Sequence, residues 1–141
     1  MSTLPPVPAD VAELVVRRLR AQLATVTDPA AARVKVSTET GRGHDGGPPA
    51  LPWLLVAEDG HGWDWPAVQR VVIRLTCWHH DAHTAKRLAG IALGLLCAPV
   101  PAGTPLSGEP VAAPISDIDP YTAAPLATTS LTVYARTPTR S

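Results

Sequence analysis

The chain has no phenylalanine, two lysines, two cysteines among 141 residues, and a formal net charge of zero. Each shortage excludes something. Twelve basic residues balance twelve acidic ones, and no run of Lys and Arg supplies the local positive charge needed to grip nucleic acid or an anionic membrane. The most apolar stretch, residues 88–100, falls short of the roughly 20 residues that cross a bilayer. Residues 1–10 are proline-rich, without the basic and apolar segments of a secretory leader, so a soluble cytosolic product is expected. Cys77 and Cys97 lie at opposite ends of a predicted helix about 24 Å long. A disulfide needs Cα atoms within about 7 Å, so free, mostly buried thiols are expected.

Proline is abundant, at sixteen residues, about twice the usual share of roughly 5%. Together with the plentiful alanine, this bias follows from codon usage in a GC-rich coding sequence, and function is not read from it. The length suits one domain, which buries roughly two thirds of its unfolded surface. Within residues 1–141, residues 1–9 read as an extended arm, and residues 39–50 and 99–110 as flexible loops.

The most informative segment is residues 68–97, which changes once from strand to helix periodicity. Val71, Ile73, Leu75 and Cys77 alternate with Arg74, Thr76 and Trp78, as a half-buried strand requires. After Trp78-His79-His80-Asp81, the apolar residues Ala85, Leu88, Ala89, Ala92, Leu95 and Leu96 follow helical spacing, with Asp81 placed as N-cap. Earlier, Asp10-Val11-Ala12-Glu13 has capping-box spacing ahead of a helix burying Val15, Val16, Leu19 and Leu23. Thr27-Asp28-Pro29 ends that helix or begins its exit. Residues 33–38 and 51–58 read as strands, the latter closed by Glu58-Asp59-Gly60, and Gly62-Trp63-Asp64-Trp65-Pro66 reads as a loop. Two more strands are expected at 111–118 and 128–136. Pro114 places the first at an edge or at a break; the second alternates Leu131, Val133 and Ala135 against Thr132, Tyr134 and Arg136. The fold class is α+β: two helices on a mainly antiparallel sheet, in the order α-β-β-β-α-β-β.

Cys77, His79, His80, Asp81 and His83 crowd together, and His79 with His83 would share a face if the helix began early, as in some zinc sites. No second ligand cluster accompanies them, since His44 and His61 sit in predicted loops and Cys97 is at the far end of the helix. A polar strand-to-helix corner is the simpler reading, so no metal and no cofactor is expected. Neither a Cys–His nucleophile set with an oxyanion loop nor a phosphate loop at Gly41 to Gly47, which lacks the Lys-Ser/Thr ending, is recognisable. No enzyme is expected.

Gly90 and Gly94 suggest close backbone approach of the second helix to the sheet or to another helix. That helix is apolar nearly all round from Leu88, since Ile91 and Leu93 fall off its main stripe. A partner surface, most simply another copy of the chain, is implied. Trp63 and Trp65, in a predicted loop, suit an interface.

The order of an opening helix, the strands Val34-Lys35-Val36-Ser37-Thr38, Leu51-Pro52-Trp53-Leu54-Leu55-Val56 and Val71-Val72-Ile73-Arg74-Leu75-Thr76-Cys77-Trp78, the helix opened by Asp81-Ala82-His83-Thr84-Ala85, and a closing strand with Tyr134 and Arg136 resembles the tail terminator proteins of long-tailed phages, particularly those of actinobacteria. The resemblance spans nearly the whole chain and rests on element order, without a diagnostic catalytic motif. Pro114, Asp117, Asp119 and Tyr121 match the family's approach to its last strand, whereas Ala124-Pro125-Leu126 replaces its usual basic-aromatic step.

The resemblance implies a homo-oligomeric ring, usually a hexamer, on the head-proximal end of the virion tail, assembled in the host cytoplasm. Its partners would be the major tail tube protein and the head-tail connector protein. DNA would pass through the lumen without specific binding, and no membrane is involved. Candidate contact elements are the 39–49 loop, the 60–66 loop with Trp63 and Trp65, and the outward row Arg74, Trp78, Tyr134 and Arg136. A head-completion or connector subunit is the alternative within this class. A small metal- or ligand-binding enzyme using Cys77 and His79/His83 is the alternative outside it.

Overall fold

Asp10 caps the first helix as its spacing predicts: in the computed structural model, which describes residues 5–39 and 50–137, its carboxylate accepts the Glu13 N–H at 3.1 Å. This helix, α1 (Val11–Leu23), buries Val11, Val15, Val16, Leu19 and Leu23. It ends before the Thr27-Asp28-Pro29 step. Asp28 then caps the short 3-10 turn Pro29–Ala31 by accepting the Ala30 N–H.

Five strands follow: β1 (Lys35–Ser37), β2 (Trp53–Asp64), β3 (Val68–Trp78) and, after α2 (Ala82–Cys97), β4 (Leu106–Ile118) and β5 (Pro125–Arg136). They form one sheet in the order β1-β2-β3-β5-β4. The β1–β2 pair is parallel and the other three pairs are antiparallel, so the chain is α+β with the expected element order.

Both helices lie on one face of this sheet. Val71, Ile73, Leu75 and Cys77 of β3 and Ala127, Leu131, Val133 and Ala135 of β5 point into that core together with the inward stripes of α1 and α2. The strand-to-helix change read at Trp78 to Asp81 is present, with Asp81 accepting the Thr84 N–H at 2.8 Å. Fixed by this cap, α2 returns along the sheet and packs mainly on β4 and β5.

Four local expectations are corrected. β2 does not close at Gly60 but continues through Asp64, because β3 pairs with it out to Asp64↔Val68 around an irregularity between Glu58 and Gly60. The predicted tryptophan loop is therefore the end of a hairpin: Trp63 lies within β2, and residues 65–67 make the turn. Residues 106–110, expected to be loop, belong to β4, since β5 pairs with Leu106 through Pro110. Finally, Gly94 has no atom near its position, whereas a Cβ on Gly108 would stand 2.5 Å from the Leu96 carbonyl oxygen. The tight helix-to-sheet approach is made from the β4 side.

Proline shapes β4. The strand lies at the sheet edge, and its pairing slips between Pro110 and Ala112 and again between Ala112 and Ile115, as expected where two residues lack the N–H of a ladder.

Candidate assembly surfaces

In the histidine corner Cys77 and His79 are buried, whereas His80, Asp81 and His83 are exposed. Cys77 is fully buried among the core residues, and burial pushes its thiol pKa up, which keeps it protonated and unreactive. His79 is buried too, and both ring nitrogens are occupied: Nε2 lies 3.0 Å from the Ala30 carbonyl, and Nδ1 accepts the His80 N–H at 2.9 Å. That pairing assigns the proton to Nε2, since a carbonyl only accepts. Helix α2 starts at Ala82, so His79 and His83 share no helix face. No group of three or more His, Cys, Asp or Glu side chains converges among the described residues. His44 lies outside them.

The face of the sheet opposite the helices is open. Register places Arg70 beside Tyr134 and Val68 beside Arg136 at one end, and Trp78 beside Leu126 at the other. Arg74 and Trp78 are thus about 13 Å apart along β3, four residues at roughly 3.3 Å each. Arg74, Tyr134 and Arg136 face outward as expected. Their polar groups are partly engaged: Arg74 meets Asp59 at 3.6 Å, and the Tyr134 hydroxyl donates to Glu109 at 3.0 Å. The bond to Glu109 raises the Tyr134 pKa.

Trp78 departs from the expected outward row. It is 6% exposed, in a second apolar cluster with Ala124 and Leu126, against which Leu51, Trp53 and Leu55 pack. Its indole N–H donates to Asp119 at 2.9 Å. Asp119 also accepts the backbone N–H of Tyr121 at 2.8 Å and of Thr122 at 3.3 Å. Trp78 and Asp119 therefore lock the turn between β4 and β5, and that turn displays Tyr121, 95% exposed. Asp119 lies below its ordinary pKa, chiefly through the Tyr121 N–H and, among the other stabilising bonds, next through the Trp78 indole.

Trp63 and Trp65 divide their roles at the β2–β3 turn. Trp63 is partly buried and donates its indole N–H to Thr137 Oγ1 at 2.9 Å. Trp65 packs edge-on against it, with centroids 4.9 Å apart, and is 64% exposed. The interface expectation thus has an exposed ring at Trp65 and an anchoring ring at Trp63. The 39–49 loop lies outside the described residues except for Glu39.

On α2, whose apolar girth implies a partner surface, Ile91, Leu93 and Leu95 are partly buried against the core; the helix packs on β4, β5 and β3 and also meets α1 and the 3-10 turn. Among the described residues, four of the seven exposed large apolar side chains fall on β4 and its following turn, Val111, Ile115, Ile118 and Tyr121; Val7, Trp65 and Val100 lie elsewhere. The bulged register scrambles the spacing along β4, so period-2 reading could not find those four.

Two further residues escaped the sequence reading. Gln69 is fully buried although polar. It lies in phase with Val71 and Ile73 on the core face, and that phase was the available signal. Its amide accepts the Ala9 N–H at 2.7 Å and donates to the Ala9 carbonyl at 3.1 Å, with His61 Nε2 at 2.9 Å. The end of the expected N-terminal arm is pinned there. Asp119, the other, was quoted only as part of a family pattern, and its partner Trp78 stands forty-one positions away.

No protein-family model and no curated protein matches the chain.

Proposed function

We propose that this chain is a non-enzymatic virion structural protein, a tail terminator that assembles as a homo-oligomeric ring, hexameric in the resembling family. It caps the head-proximal end of the tail tube and offers a surface to the head-tail connector. The observation that carries this reading is the distribution of exposure. Cys77 and His79 are held in the core, while large apolar side chains are held out along one sheet edge and at Trp65, with Val7 and Val100 exposed elsewhere. A run of exposed apolar residues along one edge is the kind of surface that association covers.

The capping mechanism follows from surface matching. A ring face complementary to the last tube ring binds it; the opposite face lacks complementarity to another tube subunit, so growth stops. The outward residues Arg74, Tyr134 and Arg136 and the exposed Trp65 are candidates for these axial contacts. The neutral overall charge suits a lumen that lets DNA pass without gripping it.

The experiment is to add the purified chain to polymerising tail tube protein of the same phage and follow tube length by electron microscopy. Growth arrest with a ring at one tube end supports the reading. Rings that bind the connector but leave tube growth untouched would favour the head-completion subunit instead.

A further inference from the structure

The two edges of the sheet differ in chemistry, and the difference is complementary. At the β4 edge, Val111, Ile115, Ile118 and Tyr121 are exposed beside Glu109 and Asp117. Between residues 88 and 135 the sequence contains no Lys or Arg at all, so nothing basic in that stretch offsets these carboxylates. The opposite edge, where α1 ends and β1 runs, carries Arg20, Arg33 and Lys35, all exposed. Between them opens a groove of about 320 Å³ whose floor includes Leu23, Val26 and Val34, with Arg20 and Arg33 at its margin and no acidic residue in its lining.

The backbone is arranged differently at the two edges as well. Arg20 donates two hydrogen bonds, at 2.8 and 3.1 Å, to the Val36 carbonyl, which closes the β1 edge to strand addition. Pro110, Pro114 and the two register slips disrupt the β4 edge. Continuation of the sheet by backbone pairing is disfavoured at both ends, and side-chain docking remains.

We propose that the β4 edge of one copy docks edge-on into the α1–β1 groove of the next, Ile115 from the open face of the strand and Ile118 from its helix-side face both reaching the apolar lining, with Glu109 and Asp117 facing Arg33 and Lys35. Because the surfaces that meet are different and lie at opposite ends of the strand order, the contact is head-to-tail, and repetition closes a ring or extends a filament. This deepens the ring reading above and rests on it for closure. Arg33 fits the role in a second way. Its φ of 58° lies in the left-handed region, a strained position for a residue with a Cβ that is held where its side chain lines the groove.

The test mixes two variants of the full chain, each damaged at one edge: Ile115→Asp with Ile118→Asp, and Arg33→Glu with Lys35→Glu. All four positions are exposed, and circular dichroism with thermal melts checks that both variants fold. Sedimentation of the unaltered chain is expected to show a multimer, and each variant alone a monomer, association being weakened roughly thirtyfold or more as at interface centres. Mixed at equal concentration, the two variants still share one intact strip and one intact groove, and a heterodimer that grows no further is expected. An unaltered chain that stays monomeric at high concentration, either variant assembling alone, or no heterodimer on mixing would each overturn the proposal. A chain that passes this test yet never arrests tail tubes would remove the terminator reading and leave the contact. Variants that still cap tubes as complete rings would do the reverse.

Discussion

Replacing Asp119 with alanine tests how this molecule holds Tyr121 out into solvent. Three donors lose their acceptor: the Trp78 indole at 2.9 Å and the N–H groups of Tyr121 and Thr122. The indole is the costly one, because Trp78 is buried between Ala124 and Leu126, where water does not readily replace the carboxylate. Leaving one buried donor unsatisfied costs about 1–3 kcal/mol. The two backbone groups are only part-buried and recover part of their loss by hydration, so we expect a total near 3 kcal/mol. Against a stability of about 5–15 kcal/mol, the variant still folds. Urea titration followed by tryptophan fluorescence reads the loss as a lower midpoint at unchanged slope.

Acid provides an independent reading of the same lock. The folded-state pKa of Asp119 lies below its ordinary value, against about 3.9 in the unfolded chain. Its stabilising effect is therefore complete above the unfolded value and disappears as pH falls through the lower folded value. Asp119→Asn removes that part of the acid dependence while keeping one acceptor oxygen. An unfolding free energy for Asp119→Ala within about 0.5 kcal/mol of the unaltered chain, the range of ordinary surface changes, would refute the lock.

Three further outcomes can be checked directly. Gly108→Ala drives a Cβ to 2.5 Å from the Leu96 carbonyl oxygen and 3.0 Å from Leu131 Cδ1; backbone must shift, and a loss of about 1–3 kcal/mol in chemical denaturation is expected. Under native conditions a thiol reagent should label Cys97 and leave Cys77 unmodified until the chain unfolds, with the Cys97 reaction slow at neutral pH because burial, then the Glu109 carboxylate, raises its pKa; equal rates at the two sites would contradict this. Arg33→Gly relieves a left-handed backbone at φ 58° and should raise thermal stability by about 0.5–1 kcal/mol while weakening self-association in sedimentation, a pairing of effects that pure backbone relief does not produce.

The sequence was most legible where local chemistry and tertiary packing agree. Asp10 and Asp81 marked both helix starts, and β3 and β5 alternate cleanly because one face of each lies under the helices. Legibility failed where pairing overrode local preference. Gly60, His61 and Gly62 look like a loop, yet β3 enforces strand geometry on them; Leu106 to Pro110 contains glycine and proline, yet β5 pairs with it, a dominance of context over propensity that is usual in sheets. Trp78 was expected outside because its phase is opposite to Cys77. That phase is right, but the open face carries its own apolar cluster at that end. His79 and Asp119 depend on Ala30 and Trp78, forty or more positions away, and no local pattern encodes such partners. The exposed strip on β4 was missed for a related reason: apolar periodicity on α2 marks what can be buried, and only the packed sheet decides which apolar residues are left outside.

The most direct measurement is electron microscopy of tail tubes polymerised with and without the purified chain. A capping ring predicts arrested tubes bearing one ring at a single end, and loss of that ring with the Ile115→Asp, Ile118→Asp variant. Tubes that lengthen unchanged and carry no added density in the presence of the folded chain would contradict it.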